Sequence, residues 1–255
     1  MSSQSILATL KSKLSPGQIE WLRDCYYWLR GLSNPLAAYL ARRANVGRGT
    51  HIDRTAHFLG WNNIRVGRNC MISEGSWLNV NQRFGNHVAI NIADDCFIGR
   101  RNFFSSGKLI HIGPYALIGA DCRFLGSDHV FSDPFQPYIA TGTTNQNTIY
   151  LGANCWVGAN VTFVGGPKIG HGSVIGAGAV VNKDIPPFSL VVGSPARVLK
   201  RFDPISREWK PLAEFTEAMN SALPSEEEYL AQLKANAPRI RMPVPAAGRS
   251  RGDLP

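Results

Sequence analysis

The sequence predicts an all-β core, a parallel β-helix of six-residue repeats, with α-helical N-terminal and C-terminal extensions. Three observations predict it. An aliphatic or Phe residue recurs every six positions between Val46 and Val181. The recurrences come in groups of three, separated by slips and insertions. A small residue stands two positions before the aliphatic in most repeats, and glycine often follows directly, as in Val66-Gly67, Ile118-Gly119 and Val157-Gly158. Alternation within a hexad gives a short strand with two inward side chains. The glycine and polar residues after it give a turn. Three such strands close one triangular coil, and stacked coils bury a core that no single repeat could bury.

The chain of 255 residues is long enough for one large domain or two small ones. Its formal charge of +9 suits an anionic partner. Much of that excess lies near the ends, at Arg42, Arg43, Arg197, Lys200, Arg201 and from Arg239 to Arg251. No nucleic-acid partner is expected. Met1 to Leu10 lacks a signal-peptide layout and no run is long enough to span a bilayer, so a cytoplasmic location is expected. The five cysteines form no CxxC pair, which leaves zinc and redox motifs unsupported.

Residues 1–45 read as a helical extension. Ser15-Pro16 supplies an N-cap and a proline at the first helical position. Trp21, Leu22, Tyr26, Trp28 and Leu29 then mix with Arg23 and Arg30, and a second helix is expected from Pro35 to Arg43. Such a segment packs on the main domain or another subunit, or touches a membrane surface peripherally.

The β-helix is expected over residues 46–202. Its coils read Val46, Ile52, Phe58; Val66, Ile72, Leu78; Ile92, Ile98, Phe104; Ile112, Ile118, Phe124; Leu151, Val157, Phe163; and Ile169, Ile175, Val181. Cys70, Cys96, Cys122 and Cys155 all take the small inward position, so they read as reduced core thiols. The rhythm breaks after Phe124 and resumes at Leu151, which places an inserted loop over residues 130–150. That loop is expected to form an ordered lobe reaching toward a neighbouring subunit, and to return on the face that carries Trp156. Residues 203–232 read as one or two helices, and Ala235 to Pro255 as a disordered Pro- and Arg-rich tail.

The stretch from Val46 to Val181 resembles the left-handed β-helix, hexapeptide-repeat acyltransferases. NKDIPPFSLVVGSPARVLKRF, residues 182–202, resembles the closing segment of the galactoside, maltose and polysaccharide O-acetyltransferases. The resemblance implies left-handed coils, an extended strand and short helix after the last coil, and a homotrimer. It also implies acetyl-CoA as donor, a saccharide hydroxyl as acceptor, and no metal.

Acyl transfer from a thioester to a hydroxyl needs a base, oxyanion donors and two substrates held together. His129, in the DH pair where the rhythm breaks, matches the family's catalytic histidine. It would deprotonate the acceptor for direct attack in a ternary complex. Asp128 could hold the imidazole tautomer, but adjacent strand residues point to opposite faces. By the same resemblance, Asn79 and Asn81 would contact acceptor hydroxyls. The small residues Gly158, Ala159, Gly176 and Ala177 would let the pantetheine arm lie against backbone, with Trp156 beside the pocket. Lys183 and Arg197 would meet the nucleotide phosphates.

His51, His57 and His111 read as outward spacers and His171 as a turn residue. His87 lies in the insertion before Ile92. The carbonic anhydrases of this fold would need a second histidine about five residues past His129, where Pro134 stands. An N-acyltransferase on an amino sugar or xenobiotic and a non-catalytic scaffold are the remaining alternatives.

Overall fold

The computed structural model describes residues 45–83, 85, 87–236, 240 and 242. The helices expected before residue 45 lie outside the described residues, as does the expected tail beyond 236 apart from 240 and 242.

Each coil supplies one strand to each of three faces. The first coil holds β1 (His51–Ile52) and β2 (His57–Leu59), then a 3-10 turn at Trp61–Asn63 and β3 (Ile64–Val66). Next come β4 (Met71–Ile72), β5 (Trp77–Val80) and β6 (Ile90–Ile92), then β7 (Phe97–Ile98), β8 (Phe103–Ser106) and β9 (Leu109–Ile112). After β10 (Leu117–Ile118) and β11 (Arg123–Leu125) a long excursion precedes β12 (Thr148–Leu151). The last coils hold β13 (Trp156–Val157), β14 (Thr162–Val164), β15 (Lys168–Ile169), β16 (Val174–Ile175) and β17 (Val180–Val181). β1, β4, β7, β10, β13 and β16 form the first face. β2, β5, β8, β11, β14 and β17 form the second, and β3, β6, β9, β12 and β15 the third.

Pairing within each face is parallel and in register, so the repeat residues stack into inward columns. Ile52, Ile72, Ile98, Ile118, Val157 and Ile175 line the first face. Phe58, Leu78, Phe104, Phe124, Phe163 and Val181 line the second. Val46 and Phe58 in the first coil are half-buried; every other repeat residue is at most 7% exposed. The third face departs from the small-residue pattern: Ile64, Ile90, Ile110 and Ile149 fill the second inward position and are fully buried. Cys70, Cys96, Cys122 and Cys155 are free and buried, as the inward position demands.

The edges between faces differ. Where the third face turns into the first, Gly49, Asn69, Asp95, Tyr115, Asn154 and Gly172 each hold positive φ; where the first turns into the second, Gly75, Arg101, Asp121, Asn160 and Gly178 do. Coil backbones touch at these edges. A Cβ on Gly119 would lie 2.8 Å from the Ala159 nitrogen, and one on Gly158 would lie 2.6 Å from the Ala177 nitrogen. Insertions there would separate the coils. The edge between the second and third faces is irregular instead, and every long connection leaves from it.

The closing segment departs from expectation. β18 (Ser189–Val192) pairs in parallel with β16, but β19 (Arg197–Asp203) and β20 (Glu208–Pro211) follow antiparallel where a short helix was expected. Residues 203–211, expected as helix, are the turn and return strand of this hairpin. The Asp203 carboxylate accepts from the amides of Ile205 (2.9 Å) and Ser206 (3.2 Å), which reverses the chain. A 3-10 turn at Leu212–Glu214 follows the hairpin, and α-helix begins with α1 (Glu217–Ser221) and α2 (Glu226–Asn236). α2 starts in a capping box: the Glu228 carboxylate accepts from the Ser225 amide at 2.8 Å, and the Ser225 hydroxyl accepts from the Glu228 amide at 3.3 Å. Among the described residues no helix is long and apolar enough to cross a membrane.

α2 straps the edge between the third and first faces. Glu226 accepts from the Ala153 amide (2.7 Å) and the Tyr150 hydroxyl (3.1 Å). The Tyr229 ring packs edge-on against Phe188 at 4.8 Å. His171, expected as an ordinary turn residue, is 7% exposed, and its Nε2 lies 3.1 Å from the Pro224 carbonyl.

Burial, reinforced by Glu226, pushes the Tyr150 hydroxyl up from 10.0 to about 12, and burial pushes the Cys155 thiol up from 9.0 to about 12. Both groups are neutral when protonated. Their contribution to stability is therefore complete below the ordinary values and is lost as pH rises through the folded ones. The thermal midpoint should fall between about pH 9 and pH 12. A Cys155→Ala/Tyr150→Phe variant should start lower and show a flatter alkaline limb by calorimetry.

Candidate functional site

The irregular edge gathers a polar cluster onto an otherwise apolar scaffold. Asn79 and Ser105 are lateral neighbours on β5 and β8, both on the outward side of the second face. Asn79 donates to the Asn81 side-chain carbonyl at 2.6 Å. Asn81 donates in turn to the Ser105 hydroxyl at 2.9 Å and the Ser106 carbonyl at 3.0 Å. One rung further on, β11 ends at Leu125, beside Ser105, and the chain leaves the stack.

The excursion folds back on itself. Ser127 donates to the Thr144 carbonyl at 3.3 Å, and the Thr144 amide donates to the Asp128 carbonyl at 2.7 Å. His129 and Thr143 form an antiparallel bridge, and the Val130 amide reaches the Gly142 carbonyl at 3.2 Å. Asp133 accepts from the Phe135 amide at 3.0 Å, closing the tip, and a 3-10 turn follows at Tyr138–Ala140. Asn145 donates to Gln82 at 2.6 Å, which ties the returning limb to the residues after Asn81. Asn79, Asn81, Asp128 and His129 thus leave the stack along one edge.

Asp128 and His129 do different things there. The Asp128 carboxylate accepts from Asn147 at 3.0 Å and makes no hydrogen bond to the imidazole. His129 is exposed, and its ring has no hydrogen-bond partner among the described residues. The alternation of neighbouring side chains explains the divergence. Asp128 pins the base of the lobe, while His129 presents its ring to solvent.

The donor candidates are divided, and all but Lys183 lie away from the His129 edge. Trp156 stands outward on the first face, 56% exposed, in register with Leu117 and Val174. Gly158–Ala159 and Gly176–Ala177 stack at the adjoining edge, between the first and second faces. The excursion does not return on the face of Trp156, as expected, but on the third face, because Thr148 and Ile149 pair with Leu109 and Ile110 on β9. Those same two residues end the loop at Asn147, before the expected residue 150. Lys183 is exposed just past β17, on the same edge as His129 but further along the stack. Arg197 is exposed at the start of β19, and its guanidinium reaches the Ala196 carbonyl at 2.9 Å. Within one chain the second face separates His129 from Gly158 and Gly176.

Sequence reasoning passed over Ser105, Ser106, Gln82, Asn145 and Asn147. The signals were there: two serines replace aliphatic residues after Phe104, and an Asn-Gln-Asn run precedes β12. His111 is half-buried on the third face, stacked on Tyr150 at 4.7 Å, and burial lowers its pKa. Among the described residues, no group of three or more His, Cys, Asp or Glu could hold a metal ion.

Residues 148–183 match the family model "Bacterial transferase hexapeptide (six repeats)". The chain is 50% identical over 62 residues to a Staphylococcus aureus protein that is an acetyltransferase by name, covering 24% of this chain and 31% of that one. A Schizosaccharomyces pombe protein, also an acetyltransferase by name, is 56% identical over 117 residues, covering 39% of this chain and 56% of its own. The chain thus spans between 31% and 56% of the length of these curated relatives. Its fold is similar to that of AntD, an N-acyltransferase from Bacillus cereus solved in complex with dTDP and 3-hydroxybutyryl-CoA. The TM-score is 0.54 at 16% identity, over 77% of this chain and 96% of that one.

Asp128→Ala should loosen the lobe without unfolding the coils. The Val130 and Thr144 amides should then exchange with solvent at least about tenfold faster, the effect of losing roughly one net hydrogen bond to a charged group. Asp128→Asn, which can still accept from Asn147, should exchange close to wild type.

Proposed function

We propose that this chain is an acetyl-CoA-dependent O-acetyltransferase of the left-handed hexapeptide-repeat type, acting on a sugar hydroxyl of a saccharide or cell-surface polysaccharide precursor. One observation carries the reading. The coil stack opens into a long lobe at one point, and there it presents a solvent-facing histidine beside a cluster of amides and hydroxyls. A scaffold would need neither. The names of the sequence relatives agree with acetyl transfer.

In this reading Asn79, Asn81 and Ser105 orient the acceptor hydroxyls, and the His129 imidazole takes the proton of the attacking hydroxyl. The imidazolium then returns that proton to the departing thiol. Acetyl-CoA supplies the activated acetyl carbonyl. The edge between the first and second faces suits its long arm: a Cβ on Gly178, beyond Gly176–Ala177, would meet nothing within 4 Å. Lys183 and Arg197, both exposed, offer cations to the nucleotide phosphates. His129 and Trp156 belong to separate surfaces of one chain, which favours a homotrimer in which a neighbour's donor surface faces the His129 edge. Cys70, Cys96, Cys122 and Cys155, all free and buried, suit a reducing compartment such as the cytoplasm. An amine acceptor would make the same demand on His129, so the assay includes amino sugars beside sugars.

Mixing protein, acetyl-CoA and a panel of sugars and amino sugars should release free thiol. His129→Ala should lower that release by about 10²–10⁴-fold while the circular dichroism spectrum stays native; near-normal turnover would remove His129 as the base. Absence of turnover and of saturable acetyl-CoA binding would favour the scaffold. Lys183→Ala should raise the KM for acetyl-CoA more than it lowers kcat, and the difference should shrink at high salt. An unchanged donor KM would take Lys183 out of the site.

A further inference from the structure

The outward side of the second face carries two parallel columns whose chemistry differs. One reads His57, Trp77, Phe103; the other reads Leu59, Asn79, Ser105, in lateral register across β2, β5 and β8. The first is aromatic and the second turns polar where it meets the site. Trp77 is 47% exposed although Phe103 lies against it, ring centroids 5.4 Å apart at 58°. An open recess of about 440 Å³ lies over this end, lined by His57, Phe58, Leu59 and Trp77. Phe58, part of its lining, stacks on Trp61 at 3.9 Å and 4°.

A pyranose ring has an apolar C–H face and a rim of hydroxyls. An exposed indole beside amide and hydroxyl groups matches both parts. We propose that Trp77 and the recess beside it form a second acceptor subsite, which holds the sugar ring next to the one being acetylated. Its role as an acceptor subsite rests on the saccharide acetyltransferase reading above. The register gives the order of rings. Trp77 lies on β5, two strands from β11, whose end releases His129. At about 4.8 Å per strand that is roughly 10 Å, more than one ring spans. The ring that stacks on Trp77 is therefore not the ring that reacts, and the acceptor carries at least two rings. Asn79 and Asn81 lie between the two positions and can serve hydroxyls of both.

The test works whichever sugar is the natural acceptor. A printed array of mono- to tetrasaccharides is probed with wild type, Trp77→Ala and Trp77→Phe, without donor. Wild type should bind saccharides of two or more rings. Trp77→Ala should lose at least tenfold in apparent affinity for them, and Trp77→Phe should keep most of it. In the thiol-release assay, Trp77→Ala should raise the KM for a bound two-ring saccharide at least tenfold more than for its one-ring fragment. Equal effects on both, or array binding indifferent to Trp77, overturn the subsite alone. Array binding with no thiol release from any bound saccharide overturns its acceptor role through failure of the enzyme reading. The recess could also be covered by a second copy. If a Trp77→Cys thiol resists a polar maleimide in the native assembly, or Trp77→Ala changes the gel-filtration mass, the surface is an interface and the proposal falls.

Discussion

Backbone-to-backbone contact between successive coils is the constraint on which the rest depends. At the third–first and first–second edges the coils approach so closely that a Cβ would collide with backbone, as Gly113 shows against Gly152 and Gly158 against Ala177. An extra residue at either edge would part the coils and cost their hydrogen bonds. The long insertions leave from the remaining edge, between the second and third faces, where the short turn at Gly107 packs on the Gly126 backbone just as tightly. The residues after Val80, the Ser106–Leu109 turn and the Gly126–Asn147 lobe all leave there. Stacking them on one edge brings Asn79, Asn81, Asp128 and His129 together, although they are far apart in the chain.

The same stacking decides what the interior can contain. Inward positions repeat at one height per coil, so a side chain meets its counterparts above and below. Phe104 sits 4.5 Å from Phe124, which sits 4.8 Å from Phe163. The thiols take positions too small for isoleucine on the first and second faces, while the third face accepts Ile64, Ile90, Ile110 and Ile149. The core is thus asymmetric about its axis even though the repeat is regular. α2 then covers the third–first edge, where Tyr150, Ala153 and His171 would otherwise present polar groups to solvent.

The coils were legible in the sequence because their signal is periodic: each aliphatic at its six-residue position turned inward, and His129 stood out as an interruption of that period. What was not legible depends on partners remote in the chain. His171 reads as a turn residue until α2, more than fifty residues later, docks over it. The 203–211 segment reads as helix until Asp203 is seen to cap a hairpin. The Asp128–His129 pair suggests mutual support, but strand alternation sends the two side chains apart, and Asn147 is the partner Asp128 finds. Trp77 is an outward spacer in the repeat, and an outward spacer reads the same whether it meets solvent, a subunit or a ligand.

The proposed chemistry puts a condition on this architecture that one chain does not meet. His129 stands on the second–third edge, while Trp156 and the small residues of the last coils stand on the first face and its far edge. Both surfaces carry apolar groups in water: Phe135 is 96% and Ile139 91% exposed on the lobe, and Leu117 46% and Trp156 56% on the first face. A neighbouring copy that laid its first face along the lobe would bury both and bring a donor surface to the histidine. Within the proposed trimer, assembly and catalysis then become a single requirement. A long lobe suits the proposed trimer, since a short turn at Asp128 would place the histidine on the edge without reaching across to another chain.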